Sequence, residues 1–157
     1  MLELDRIDLE EIVVALDNRD DESRILMSKV TGELTFWTEY GGIDGQNPVD
    51  LDELDPDLVS IEPLPSSAGY RDMADFTGAV TDDQVRERLE RALDGKGAFR
   101  RFGDELFQRQ EQLVPAWRAF RDVRGLRRAV DWLADEGLIT EDEADRFREK
   151  HPDPDVP

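Results

Sequence analysis

The sequence predicts an α+β fold with an N-terminal helix, a small three-stranded antiparallel sheet and a mostly helical C-terminal half. Short β-branched and aromatic runs separated by turn formers fill the region before Ser66, as is typical of strands. From Ser66 onward, apolar residues recur at helical spacing instead. A chain of 157 residues has room for one ordinary domain, and we expect a single domain over residues 1–150.

The N-terminal helix is predicted from its cap and its apolar spacing. Asp8 followed by Glu11 fits an N-cap and its third-position partner. Apolar residues then occupy one helical face over two turns, namely Leu9, Ile12, Val13 and Leu16. We therefore expect a short amphipathic helix that ends near Asp17.

Three runs of residues predict the strands. Residues 24–30 and 33–38 are rich in β-branched and aromatic side chains, and the two-residue connection Thr31-Gly32 suits a hairpin between them. Residues 58–62 predict a third strand. These runs together support a three-stranded antiparallel sheet.

An acidic loop is predicted at residues 41–57, between the second and third strands, because turn formers and carboxylates dominate there. Its carboxylates are potential ligands for calcium or magnesium, but they do not follow the calcium-loop pattern and Pro56 interrupts them. We therefore expect a solvated loop and predict no metal site.

The C-terminal half carries a series of helix signals. Ser66 or Ser67 can cap a first helix, Thr81 with Gln84 forms a capping box for the next, and Gly95 ends that helix.

Further along the chain, the apolar residues before and after Arg124-Gly125 lie on different faces of the predicted helix. At about 100° of rotation per residue, the two faces are roughly 160° apart. This shift indicates either two helices or one helix that packs first on one side and then on the other. Thr140 and Glu143 cap a last short helix, and residues 151–157 are predicted to form a disordered tail.

The net charge of −19 is unevenly distributed along the chain. Residues 84–133 carry a net charge of +4 and are flanked by two strongly acidic segments. All but three of the 20 basic residues are arginine. Acidic excess with scarce lysine fits a protein of a salt-loaded cytoplasm, and arginine bias in a GC-rich genome is the alternative. Either origin disfavours indiscriminate binding to nucleic acid.

The targeting and cysteine signals indicate a cytoplasmic protein. The sequence has no cysteine, and neither a secretory leader nor a membrane-spanning run is recognisable. We therefore expect no interaction with a membrane.

The best candidate site is the basic segment at residues 95–102. Gly95 and Gly97 permit close approach to backbone N–H groups at a helix start, and Lys96, Arg100 and Arg101 supply positive charge for an anion such as phosphate. The segment lacks the residues of a Walker A loop. The alternative is that the glycines only turn the chain while the three cations pair with acidic residues of the first half.

A second basic feature is an interaction stripe on one helix. Trp117, Arg121, Arg124 and Arg128 fall at i, i+4, i+7 and i+11 and could together grip phosphate, stack on a base or bind a partner protein. The alternative is that Trp117 belongs to the core and the arginines neutralise nearby carboxylates.

Little in the sequence points to an enzyme. His151 is the only histidine and lies in the predicted tail, so the sequence offers no histidine for a catalytic triad or a buried general base. No pair of carboxylates stands out among the 39 acidic residues. We predict no catalytic residue, no metal ligand and no cofactor.

Five strings resemble the uncharacterised protein family 0158 of bacteria and archaea: S-A-G-Y-R-D-M-A-D-F at 67–76, V-R-E-R-L at 85–89, G-K-G-A-F-R-R-F at 95–102, W-R-A-F-R at 117–121 and A-V-D-W-L at 129–133. The resemblance covers roughly residues 5–134 and implies a similar order of helix, short sheet and helices. The chain departs from the family by a longer acidic loop and by the helix and tail after Gly137. The family implies no reaction or substrate.

These observations lead to two functional hypotheses. The first is a non-enzymatic regulatory or interaction domain whose basic helix start engages a phosphorylated ligand, nucleic acid or an acidic protein surface. The alternative is a metal-dependent phosphoryl or nucleic-acid hydrolase. The sequence does not determine the oligomeric state.

Overall fold

The computed structural model describes residues 1–157, and its first α-helix is α1. It spans Leu9–Asp17, and the Asp8 carboxylate accepts a hydrogen bond of 3.3 Å from the Glu11 N–H. The predicted N-cap is therefore confirmed. Ile12 and Leu16 on the apolar face are buried, which is the main way a helix this short is stabilised.

The three predicted strands form one antiparallel sheet. They span Ser23–Ser28 (β1), Leu34–Thr38 (β2) and Leu58–Ile61 (β3), and their order in the sheet is β2-β1-β3. Ile25 on the central strand lies opposite Phe36 on one side and Ile61 on the other. This register places their side chains on the same face of the sheet.

The hairpin between β1 and β2 is longer than the two residues that the sequence suggests. Its connection spans residues 29–33, because the Ser28 hydroxyl accepts hydrogen bonds from the N–H groups of Val30 and Thr31. Gly32 then adopts a φ of 78°, a left-handed conformation that favours glycine. A side chain-to-backbone turn thus ends the strand early.

Five helices follow the sheet, as predicted from the helical spacing. They span Ser67–Ala79 (α2), Asp83–Ala92 (α3), Ala98–Asp104 (α4), Val114–Asp135 (α5) and Glu141–Lys150 (α6). A π-helical turn, Glu105–Arg109, continues α4. The cap of α3 is Asp82 rather than Thr81, since its carboxylate accepts from the N–H groups of Gln84 and Val85. None of the helices is both long enough and apolar enough to cross a membrane.

The chain divides into two compact units. Unit 1 comprises residues 1–64 and 126–150, and unit 2 comprises residues 65–125 and 151–157. The predicted phase change lies within one continuous helix, α5, whose first half contributes Trp117 to the core of unit 2 and whose second half contributes Leu133 to the core of unit 1. The single domain expected over residues 1–150 stays a prediction.

Residues 151–157 contain no helix or strand, yet they contact residues 65–125 of the same unit. The Thr81 N–H donates to the Pro157 carbonyl at 3.2 Å, Val156 packs against the core of the unit, and the Asp153 carboxylate accepts from Arg124. The structure describes these contacts, and the predicted disorder of the segment stays a prediction. Sequence spacing could not identify them, because the partners lie far away along the chain.

Candidate functional site

The basic segment at residues 95–102 comprises the end of the connection between α3 and α4 and the first residues of α4. Gly95 and Gly97 have φ values of 75° and 76°, which L side chains rarely adopt. The two glycines therefore reverse the chain direction after α3. Gly97 is also the N-cap of α4, where it offers no side chain to the first N–H groups of the helix.

Arg101 folds back onto this connection rather than outward. Its Nε donates to the Ala92 carbonyl at 3.1 Å, and its two terminal nitrogens donate to the carbonyls of Asp94 and Lys96. A Cβ atom at Gly97 would lie only 3.4 Å from the guanidinium. Arg101 thus satisfies carbonyls at the C-terminal end of α3, where the helix dipole also favours a cation.

Lys96 and Arg100 point to solvent. The side chain of Arg100 is 89% exposed, and its closest ion pair, to Asp104 one helical turn away, is long at 3.9 Å. The segment therefore does not aim its three cations at one point. Two are exposed surface charges, and the third donates to carbonyls at and after the end of the preceding helix.

The predicted interaction stripe is divided between core and surface. Trp117 is only 7% exposed and makes edge-to-face contacts with Phe76 and Phe102, at ring-centroid distances of 5.3 and 5.1 Å. It belongs to the aromatic core of unit 2, which is the alternative that the sequence left open. Arg121 is half-exposed and lies 3.8 Å from its neighbour Asp122.

Arg124 is held by carboxylates and by an aromatic ring. Its guanidinium donates to Asp75 at 2.8 Å and to both carboxylate oxygens of Asp153 at 2.8 and 2.9 Å, and it stacks on Phe120 at 4.8 Å. The hydrogen bonds to Asp153, more than those to Asp75, raise the pKa of Arg124 above its ordinary range. Arg128 on the same helix is half-buried and is also engaged within the protein.

Four arginines of unit 2 line one cleft, which we call the arginine cleft. It has a volume of about 460 Å³ and lies between α3 and the α4 helix with its π-helical turn. The cations that line it are Arg88, Arg91, Arg101 and Arg109. Asp104, Glu105 and Gln108 complete the polar lining, and Ala92 is the apolar member.

The carboxylates of the arginine cleft neutralise only part of its charge. Glu105, 13% exposed, lies 3.7 Å from Arg109 and accepts a hydrogen bond from Gln110. Arg91 has only a long hydrogen bond of 3.4 Å to the Glu87 carbonyl, and Arg88 makes no hydrogen bond or ion pair. Two guanidiniums on successive turns of α3 are thus available to an anion.

Sequence reasoning did not identify Arg88, Arg91 and Arg109 as site residues. A signal for the first two was present, since they are three residues apart on α3 and so share a helix face. Arg109 carried no such signal. It reaches the cleft through the π-helical turn, which sequence periodicity does not reveal.

The structure contains no group of three or more histidine, aspartate and glutamate side chains arranged to hold a metal ion.

In comparisons with known proteins, the model of a family described as "Uncharacterised protein family (UPF0158)" matches residues 3–150. No curated protein and no solved structure matches the chain.

Proposed function

The chain belongs to the uncharacterised protein family UPF0158, and we propose that it is a non-enzymatic regulatory or interaction domain that binds an anionic group in the arginine cleft. The observation that carries this proposal is the pair Arg88 and Arg91, which line the cleft with no carboxylate partner of their own. The two guanidiniums lie in the one segment of the chain, residues 84–133, whose net charge is positive.

The chemistry of arginine supports an anion as the ligand. A guanidinium presents a planar fork of N–H donors that matches two oxygens of a phosphate or carboxylate. Arg101 adds a charge whose position is fixed by three carbonyls, so binding loses less side-chain entropy there. The predicted helix start and the arginine cleft share this residue. Lys96 and Arg100 remain candidates for a peripheral contribution.

The lining of the arginine cleft favours a phosphorylated ligand over nucleic acid. None of the lining residues is aromatic, so bases would find no surface on which to stack. The negative charge of the whole chain repels a long polyanion such as nucleic acid.

Isothermal titration with inorganic tripolyphosphate tests the proposal. We expect Arg88→Gln and Arg91→Gln each to weaken binding about tenfold, since a hydrogen bond to a charged group contributes about 1.5–3 kcal/mol and 1.4 kcal/mol is tenfold. Arg71→Gln, which removes an exposed arginine of unit 2 outside the arginine cleft, is the matched control. Equal affinities for all three variants would contradict the proposal.

The helix start is tested by a second variant in the same titration. If Lys96→Ala combined with Arg100→Ala weakens binding more than Arg88→Gln does, the ligand binds at the helix start and the arginine cleft is the wrong site. We expect a smaller effect, because both side chains lie outside the cleft lining.

A further inference from the structure

The 151–157 segment is held by unit 2 in the way that a peptide is held by a recognition groove. Arg124 donates from Nε and from a terminal nitrogen to the two oxygens of the Asp153 carboxylate, at 2.8 and 2.9 Å. This fork is the geometry by which arginine selects a carboxylate in a defined orientation. It fixes one end of the segment.

The other end of the segment is fixed by the main chain and by an apolar contact. The Thr81 N–H donates to the Pro157 carbonyl at 3.2 Å, and Val156 packs against the core cluster of unit 2. Main-chain hydrogen bonds give affinity for an extended peptide, and a side-chain pocket gives specificity. The features recognised are therefore an aspartate and, three residues later, a valine.

Arg124 also has contacts with residues outside the segment. Asp75 binds the remaining terminal nitrogen of Arg124 at 2.8 Å, buried Asp72 lies 3.7 Å away, and Phe120 stacks under the guanidinium. These contacts hold the fork in place. Prolines at positions 152, 154 and 157 keep the bound segment extended at a low entropic cost.

The contacts of Arg124 with the segment also bring carboxylates close together. Three carboxylates, those of Asp72, Asp75 and Asp153, lie within 4 Å of the Arg124 guanidinium, and like charges this close repel one another. The side chain of Asp153 is still 38% exposed to solvent. Because the segment belongs to the same chain, its effective concentration at the groove is on the order of 1 mM. A peptide of a partner protein competes with the segment at that concentration.

We propose that this surface is a recognition groove for an extended, acidic, proline-containing peptide of a partner protein with the pattern Asp-x-x-Val, and that the 151–157 segment occupies it in cis. The partner displaces the segment and makes the same contacts to Arg124 and the Thr81 N–H. The groove is independent of the arginine cleft, since they share no residue.

Fluorescence anisotropy with a labelled peptide of sequence H-P-D-P-D-V-P tests the proposal on the full chain. Asp153→Asn combined with Val156→Ser releases the segment and leaves the groove residues intact. We expect this variant to bind the peptide at least tenfold more tightly than the unsubstituted chain does. A peptide with asparagine at its third position should lose binding to the variant.

Three results would overturn the proposal: no peptide binding to the variant, equal binding to the variant and the unsubstituted chain, or exchange of the segment between two copies in a dimer. Amide hydrogen exchange at Thr81 is the second measurement. It should be slower in the unsubstituted chain than in the variant, and equal exchange would show that the segment does not dock. Unchanged tripolyphosphate affinity in the variant separates this test from that of the arginine cleft.

Discussion

Arg101→Ala should destabilise the protein, whereas Arg100→Ala should leave its stability nearly unchanged. The two arginines are adjacent in the sequence and in the same helix. Arg101 donates three hydrogen bonds to backbone carbonyls at the end of α3 and in the connection to α4. Arg100 has only a long ion pair within its own helix. The comparison therefore separates an internal cap from a surface charge.

The expected magnitude follows from the hydrogen bonds that are lost. A typical intramolecular hydrogen bond contributes about 0.5–1.5 kcal/mol net. Arg101 is exposed, so we take the lower half of that range and expect a loss of about 2 kcal/mol for the three bonds. For a chain of this length, that loss lowers the melting temperature by about 4–8 °C. Arg100→Ala should stay within about 0.5 kcal/mol.

Urea unfolding followed by tryptophan fluorescence measures both variants, because Trp117 lies in the core of the same unit. Arg101→Lys is the matched test of geometry. It keeps the charge, but a single ammonium group does not reproduce the fork of the guanidinium, so it should recover less than half of the loss. If Arg101→Ala were as stable as Arg100→Ala, the assignment of Arg101 as an internal cap would be refuted.

Three further predictions concern other positions. Trp117→Ala should cost about 3–5 kcal/mol in urea unfolding, since it empties the centre of the aromatic core; a loss below 1 kcal/mol would restore Trp117 as a surface residue. Gly97→Ala should cost about 1–2 kcal/mol because of its positive φ, whereas Gly103→Ala, in a helix with open space around it, should stabilise by about 0.5–1 kcal/mol. Thermal melts that show the same sign for both glycine variants would contradict this reasoning. The hydrogen bond from the Gln46 N–H is the main cause that holds the pKa of the Asp44 carboxyl below its ordinary range. The ionised carboxylate therefore stabilises the fold at pH values above its unfolded-state pKa, and this stabilisation is lost as the pH falls through the folded-state pKa. An ordinary titration midpoint for Asp44 in an NMR titration would refute this prediction.

The elements that the sequence predicted well depend on short-range interactions. Asp8 caps α1 and Thr140 accepts from the Glu143 N–H at the start of α6, because a cap and its partner are three residues apart. The strands follow from β-branched and aromatic runs of four to six residues. The hairpin connection was less predictable, since the Ser28 hydroxyl competes with the strand for backbone N–H groups.

The site was less predictable than the fold. A helical spacing that places Trp117 and Arg124 on one stripe is equally compatible with a surface and with a core. Trp117 packs against Phe76 of another helix. Arg124 binds Asp153 and Asp75, which are 29 and 49 residues away from it in the chain. Sequence spacing carries no information on such distant contacts.

The sequence by itself determined the order of helices and strands, the excess of negative charge and the basic region at residues 84–133. Each depends on composition or on interactions within a few residues. Only the tertiary structure decided what surrounds each cation: it turned Arg101 onto carbonyls, enclosed Arg124 among carboxylates and left Arg88 in a cleft without a partner. The reason is that the availability of a charge depends on what surrounds it in space, and those surroundings are assembled from segments far apart in the chain.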